Sequence, residues 1–593
     1  MKNIYDTLEF NQIKDKVKAF GVSLLAKDKI DSLAPYQDLE DLKLDQKYLD
    51  QAMRLIYKYG RLPIGHYNDV EPLLLKANKD GTLFGEDFVQ IVYLLNNVKE
   101  ITNYLSEKEL EENELIQLCN QLILPKQLLK EINRCIDSSG NVLDSASKEL
   151  KRIRRQILSI EANIRTKIEQ VKTANKDYLS QEAISSRNNH LVLPVKAGNK
   201  NNVKGIVHAM SATGQTMFIE PEVIVSMNNQ LVHARDDELR EINRILMELS
   251  KMIKDNYDLL HEDQELLVEI DVIFAKAGYG VQIDGIVPDV SEDYHHFNLI
   301  KARHPLIDKD KVVANSIVLN DPKRMLLISG SNTGGKTVVL KTAGLLSLMA
   351  LCGMALPCNQ AVVPMFDQIC VDLGDEQSIE QSLSTFSSHM KRLVEITNEV
   401  SERSLVLLDE IGSGTDPKEG QSIAEAILRY LHQVNPLIVA STHYSALKEF
   451  AKNEEYILVA AVEFDQENMA PTYRLIEGSV GNSYAIEISS RLGLKQEIVE
   501  LAYQIKESSL TDSDKLLEKL QNELTQVQLE RDRLEILAQE AENKLNKYNR
   551  LINNFEKQKD DLMEKAKKEA NQLLEDSKQE IDLVVEDLKN MPF

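Results

Sequence analysis

Two stretches of the chain carry residue types at spacings that suit phosphate chemistry. Gly330-Ser331-Asn332-Thr333-Gly334-Gly335-Lys336-Thr337 fits the phosphate-loop pattern G-x-x-x-x-G-K-[ST] at every required position. In such a loop the glycines let backbone N–H groups turn inward around phosphate oxygens, and a following helix adds its dipole. Lys336 is then placed to reach the β and γ phosphates of a nucleotide, and the Thr337 hydroxyl to hold Mg²⁺. Further along, Ser404-Leu405-Val406-Leu407-Leu408-Asp409-Glu410 is an apolar run ending in two carboxylates. Asp409 suits Mg²⁺ from the side opposite Thr337, and Glu410 suits orienting or deprotonating an attacking water. His443, closing Ser441-Thr442-His443 at the next apolar run, suits sensing of the γ phosphate.

These groups need strands and helices to bring them together, and the flanking sequence supplies the signals. Met325 to Ile328 reads as a short buried strand ahead of the loop and Val338 to Leu351 as the helix after it. Ile411 to Pro417 contains two glycines for a tight turn, with Thr415 or Asp416 as helix cap and Pro417 in the first turn. From about Asp284 to Ile505 strand-like runs alternate with helices: Leu326 to Ser329, Ser404 to Leu408, Leu437 to Ser441, Tyr456 to Val462 and Thr472 to Leu475. That alternation predicts a covered, largely parallel sheet.

The remaining segments read as helical. Residues 1–144 carry apolar residues three and four apart, as in Leu8, Ile13 and Val17, and form a helical core. From Ser145 to about Gln181, Leu150, Ile153, Ile157, Ile160, Ile164 and Ile168 make one stripe on a long helix, an arm rather than part of a compact body. Residues 186–221 switch to short β-type runs between Gly and Asn turns, and 222–283 return to a helical pattern. The last segment, 506–593, carries heptad-like spacing from Leu517 to Leu562 and reads as a coiled coil.

Charge singles out the β tip. The chain of 593 residues has a formal charge of −24, which excludes coating nucleic acid through a global field. Between Arg187 and Ile219, however, there is no Asp or Glu, while Arg187, Lys196, Lys200 and Lys204 are present. Lysines at a sheet edge can simply blunt aggregation, but a basic cluster without acids also suits a phosphate backbone. Phe218 is the one Phe, Tyr or Trp there, beside His190 and His208, which argues against base readout by stacking. The five cysteines form no C-x-x-C pair and no His lies at ligand spacing to them, so reduced core thiols are expected and no cysteine metal site. No signal-peptide region and no run of 18 apolar residues occurs, so a cytoplasmic protein without membrane contact is expected.

Arg303-His304-Pro305, the phosphate loop, Ser384-Thr385-Phe386, Asp409 to Thr415, Thr442-His443 and Asn482-Ser483-Tyr484 occur in an order that resembles the ATPase of the MutS family. Ser331 to Thr337, Gly374 to Met390 and Ile206 to Pro221 resemble the Smr-bearing branch, MutS type II. The resemblance covers nearly the whole chain and implies a multidomain fold: helical core, lever helices at 145–185 and 222–283 around a β clamp tip, an α/β ABC-type P-loop ATPase at 284–505, and a coiled coil. It implies a homodimer using ATP and Mg²⁺, with Ser384 reaching across to the partner's γ phosphate and adenine near Val312, Val313 and Tyr473. The mismatch-reading N-terminal domain of repair members has no counterpart, which disfavours mismatch recognition. The basic module and Smr nuclease domain expected after the coiled coil are absent from a chain ending at Phe593, either a truncated piece or a naturally short member. Nuclease activity is therefore not expected.

The implied function is an ATP-switched clamp on stalled or collided ribosomes and their RNA. Branched-DNA binding that suppresses recombination, or an Smr-dependent endonuclease in a full-length form, is the alternative. A structural tether of the SMC type is a rival from another class, opposed by the placing of both phosphate motifs in one contiguous α/β block. A transporter ATPase is opposed by the absence of an L-S-G-G-Q signature.

Overall fold

Apolar residues recurring three and four apart make the N-terminal helices one-sided, and the helix Tyr257–Gln282 gives them a common partner. Almost every residue of that helix from Leu267 to Gly280 is buried, as expected for a helix apolar on all faces. Around it Leu39–Tyr59, Gly85–Glu107 and Lys126–Cys135 pool Leu49, Leu94, Leu129 and Phe274 into one core. Two of the buried charged groups inside are matched. Asp271, fully buried, accepts the backbone N–H groups of Val22 at 3.1 Å and Ser23 at 2.9 Å, and Lys276 pairs with Asp45.

The computed structural model describes residues 4–108, 112–181, 183–187, 190–330, 335–374, 385–465, 470–479, 485–491 and 493–509, with isolated positions between Glu523 and Leu545. The chain forms two compact units. One is Met1–Leu327 with Lys336–Leu458, the other Ile328–Gly335 with Val459–Phe593. The segment read as a coiled coil, 506–593, lies outside the described residues apart from 506–509, which end the helix Gln496–Ser509, and those isolated helical positions. Among the described residues no helix is long and apolar enough to cross a membrane.

The arm rises on the helix Lys148–Ala174, started by Ser147, whose hydroxyl accepts the Leu150 N–H. At about 1.5 Å per residue its 27 residues span about 40 Å. Its buried residues are Leu150, Ile153, Ile157, Ile160, Ile164 and Ile168, the stripe read from spacing. The helix stops before the expected Gln181. The Asn175 amide donates to the Val171 carbonyl at 2.9 Å, and a 3-10 turn, Lys176–Tyr178, follows. The chain returns on Glu222–Asp255, which packs along the rising helix and joins it through Arg154–Glu238 at 2.8 Å and Arg235–Glu161 at 2.9 Å. The expected single return helix is broken at Asn256, whose side chain donates to the Met252 carbonyl at 2.8 Å. In both places an asparagine offers the backbone a local partner and so ends the helix.

The tip is a four-stranded antiparallel sheet in the order Ser185–Arg187, His190–Lys196, Thr216–Pro221, Gly205–Met210. Leu193, Val195, Val203 and Ile219 continue the arm's own apolar core into it.

In the first unit Gln368–Asp372, Ser404–Leu408 and Leu437–Ser441 pair in parallel. The last two are buried at every residue, which is why they read as unbroken apolar runs. The start of Met325–Ser329 lies beside Leu437–Ser441, where the Ile438 N–H donates to the Arg324 carbonyl at 2.9 Å. A second sheet, not read from the sequence, orders Asp289–Ser291, Gln360–Pro364, His296–Ala302 and Asn315–Asn320. Ile457–Asp465, in the second unit from Val459 on, pairs antiparallel with Ala470–Glu477, a departure from the parallel expectation. Ser329 Oγ donates to the Ala460 carbonyl at 3.1 Å within that unit.

Candidate active site

Parallel pairing sets Leu408 level with Ala440, so Asp409 and Ser441 emerge together at one sheet edge. Lys336 is the first residue of the helix Lys336–Leu351 and brings Thr337 to the same place. Thr337 Oγ1 donates to Asp409 Oδ2 at 2.6 Å, and Ser441 Oγ donates to Asp409 Oδ1. Ser441 Oγ also accepts the Glu410 N–H at 2.9 Å, while the Asp409 N–H donates to the Asp372 carbonyl at 2.8 Å. Two hydroxyls, one from a helix start and one from a strand end, are thereby tied to the Asp409 carboxylate, and a third strand end to its backbone.

Glu410 sits with φ 48°, in the left-handed region that a residue with a side chain rarely adopts. Such backbone persists when its surroundings fix it. Here the Ser441 hydroxyl holds its N–H and the next turn is locked behind it. A Cβ on Gly412 would lie 2.3 Å from the Gly420 carbonyl oxygen, so only glycine permits the turn to press on the helix Pro417–Val434. Of the two cap candidates, Asp416 takes the role, accepting from the N–H groups of Lys418 and Glu419. Tyr444 OH donates to the Gly412 carbonyl at 2.9 Å.

Basic side chains gather near this carboxylate pair, with Lys336 against it. Lys336 is 1% exposed. Burial lowers its ammonium pKa, and Glu410 and Asp409 oppose that shift. His443 is exposed on one side and tilted against Tyr444, with centroids 4.2 Å apart. Desolvation lowers its imidazole pKa, with Lys336 and Lys448 adding and Glu410 opposing, so the ring is neutral near pH 7. Lys448, on the buried face of Ser445–Asn453, is pushed down to about 8 by burial and by Lys336 and Lys452. Neither Ser441 nor Lys448 was assigned a role from sequence. Ser441 stands in the quoted Ser-Thr-His triplet, and Lys448 is signalled only by a lysine on an otherwise apolar helix face.

A hydroxyl and a carboxylate oxygen in direct contact form a hard-oxygen pair of the kind Mg²⁺ prefers. A buried ammonium beside them suits a phosphate. The residues present therefore fit a nucleotide with its cation. Gly330 and Gly335 have φ 128° and 95°, open to glycine alone, while Ser331, Asn332, Thr333 and Gly334 lie outside the described residues. So does Ser384. Val312 and Val313 are half-buried ahead of the strand Asn315–Asn320 in the first unit. Tyr473 belongs to the second unit, 47% exposed, its ring against Gly335.

The tip residues stand apart from this cluster, on the arm. Arg187, Lys196, Lys200 and Lys204 are all exposed. The Arg187 guanidinium lies 4.2 Å from the Phe218 ring centroid and covers that aromatic face. Lys196 Nζ donates to the Asp177 carbonyl at 3.1 Å.

The MutS domain V family model matches residues 326–510, the span holding the strand-end cluster. Endonuclease MutS2 of Clostridium perfringens (strain SM101) is 39% identical over 563 residues, covering 94% of this chain and 72% of that protein. Endonuclease MutS2 of Finegoldia magna is 40% identical over 539 residues, 90% of this chain and 68% of that protein. The Shouchella clausii protein of the same name is 40% identical over 529 residues, 88% and 67% of the two chains. Identity at this level, along both the helical and the α/β regions, leaves one assignment: the chain belongs to the MutS2 branch of the MutS family.

Proposed function

We propose that the chain is an ATP-hydrolysing homodimeric clamp that closes on nucleic-acid-containing targets, first among them stalled or collided ribosomes and their RNA. The observation that carries the reading is the Thr337–Asp409–Ser441–Glu410 network beside buried Lys336. On this reading 284–505 is a P-loop ATPase domain and 506–593 a coiled coil. Lys336 and the backbone of Gly330 to Thr337 hold the β and γ phosphates. Thr337 and Asp409 hold Mg²⁺, which when bound supplies Lewis-acid neutralisation of phosphate charge. Glu410 orients the attacking water and accepts its proton, the neutral His443 ring donates or accepts at the γ phosphate, and Val312, Val313 and Tyr473 line the adenine side.

Ser384 of one protomer closes on the nucleotide of the other, and closure travels along the arm helices to the tips. The exposed Arg187, Lys196, Lys200 and Lys204 then contact phosphate backbone. The chain works in the cytoplasm, where its five buried free thiols stay reduced. The relatives' name, endonuclease, favours a second reading in which a nucleic acid is cleaved in the full-length form, and branched DNA is the alternative target.

Glu410→Gln tests both. ATP turnover should fall by roughly 10²- to 10⁴-fold, the range for loss of a positioned general base. ATP binding should persist, and ribosomal RNA should co-purify with the trapped dimer. Undiminished turnover sinks the assignment of Glu410. DNA in place of RNA selects the second reading, and metal-dependent cleavage surviving the substitution would show a nuclease centre elsewhere.

A further inference from the structure

The tip sheet holds a cluster that the nucleotide site does not use. His190 Nδ1 lies 3.0 Å from Glu220 Oε1, and His208 Nε2 lies 2.6 Å from Glu220 Oε2. The two imidazole rings stack with centroids 4.7 Å apart. One ligand atom from each of the three side chains falls within 4.8 Å of the others. Each residue comes from a different strand, and the outer two flank the strand that carries Glu220.

Three features point to a cation rather than to a hydrogen-bonded cluster alone. The first is the burial of charge: Glu220 is 1% exposed, and a carboxylate so buried needs compensation. The imidazoles beside it remain partly exposed, at 18% and 14%, which leaves a way in for an ion. The second is a bulge. Val207 pairs with Ile219 and Ala209 with Phe218, so His208 is the extra residue, and bulges of this kind re-aim side chains.

The third is Asn228 on the helix Glu222–Asp255, 2% exposed. Its Nδ2 donates to Glu220 Oε1, while its Oδ1 is buried with no hydrogen-bond partner. Rotating that amide by half a turn exchanges the two atoms and presents an oxygen to the cluster, an arrangement that a cation bound between it and the Glu220 carboxylate would hold.

We infer that His190, His208, Glu220 and Asn228 form a binding site for a divalent transition-metal cation of the zinc class. Two imidazole nitrogens with two oxygens make a four-donor set suited to tetrahedral Zn²⁺ at about 2.0–2.2 Å. Neighbouring donors of such a tetrahedron stand about 3.3 Å apart, so the hydrogen-bonded contacts open by less than about 1 Å and the wider separations, up to 4.8 Å, close by no more than about 1.5 Å to admit the ion. The bound cation would join three strands of the tip to the descending helix. Sequence spacing concealed the set, because its members are brought together only by strand pairing.

The test is Zn²⁺ loading of the full chain after chelator treatment, with Mg²⁺ in large excess to occupy hard-oxygen sites. Elemental analysis of gel-filtered protein should give one Zn²⁺ per chain, and Co²⁺ in its place should give the intense visible absorption of a tetrahedral site. Loss of a group that merely orients a ligand weakens metal binding by about 10- to 100-fold, so His208→Gln and His190→Gln, which remove ligands, should weaken it at least that much. Both variants keep a polar side chain beside Glu220, and circular dichroism checks that they fold. Asp409→Asn should load as wild type does. Absence of stoichiometric zinc, or equal zinc affinity in the two histidine variants and wild type, overturns the site.

Discussion

Ser441→Ala is the substitution that most directly probes how the carboxylate pair is held. Ser441 is fully buried and serves two neighbours, donating to Asp409 Oδ1 and accepting the Glu410 N–H at 2.9 Å. A hydrogen bond to an ionised group contributes about 1.5–3 kcal/mol and a neutral one about 0.5–1.5 kcal/mol, so the pair together is worth about 2–4.5 kcal/mol. Glu410 at φ 48° stores strain on the order of 1–3 kcal/mol that the Ser441 contact helps to balance. Without the hydroxyl, relaxation of Glu410 toward ordinary backbone becomes competitive and swings its carboxylate away. The expected result is a fall in ATP turnover of about 10- to 100-fold, the range for groups that orient ligands, together with a higher Mg²⁺ requirement because Asp409 loses a partner. Nucleotide binding through Lys336 should change little. The assay is steady-state turnover across a Mg²⁺ series, paired with fluorescent-nucleotide binding and thermal melting. Wild-type turnover and Mg²⁺ half-saturation in a variant with a lowered melting temperature would refute the reasoning and leave Ser441 a packing residue.

Two further outcomes are expected. Reversing Lys196, Lys200 and Lys204 to Glu should weaken target binding and flatten its salt dependence by about 0.9 log units per lost contact for duplex DNA, read from binding isotherms at several salt concentrations; unchanged isotherms would leave the lysines as sheet-edge blunting. Asp263, buried with one carboxyl oxygen lacking a partner, is pushed up to about 6 by desolvation, against which the Ile123 N–H at 3.0 Å works only in part. A raised carboxyl pKa means the folded state binds the proton more tightly. Wild type therefore loses stability as pH rises from about 4 to about 6, and the loss is complete above that. Asp263→Asn should remove it, a gain of about 1–3 kcal/mol at pH 8 and little at pH 4, read from melts at both values. A gap independent of pH would rule out the buried carboxylate as its cause.

The strand-end cluster was legible because its chemistry is local in sequence. Lys336 and Thr337 are adjacent, as are Asp409 and Glu410, and each pair closes or opens an apolar run of a length that marks a buried strand or helix. The arm stripe was legible for the same reason, since a helix repeats its buried face every three or four residues. The second sheet was not. His296–Ala302 and Asn315–Asn320 are half-polar, with alternating burial, and their partner Gln360–Pro364 comes from beyond a long helix. Ser441 was visible as a residue but not as a hinge between two carboxylates, which only the register Leu408 to Ala440 reveals. Helix ends were read too late at Asn175 and Asn256, because an asparagine inside a periodic pattern says nothing until its side chain is seen on its own backbone.

The arm tip shows most sharply what pairing adds to a linear reading. The stretch from Arg187 to Ile219 is conspicuous for having no acid, and Glu220 then looks like no more than the end of that stretch. In the fold Glu220 is the buried centre of the sheet, with His190 and His208 turned onto it. The basic side chains and the candidate metal set therefore differ in burial and not in face: His190 and Lys196, six residues apart, lie on one side of the same strand, but Lys196 and Lys204 are exposed while Glu220 is buried. The two should respond separately. Stripping zinc should lower the melting temperature of the arm and leave the salt slope of target binding almost unchanged, because no exposed cation is lost. Reversing the three lysines should flatten the slope and leave the melting response to zinc intact. A slope that falls on chelation alone would mean that the metal, and not the lysines, sets the contact.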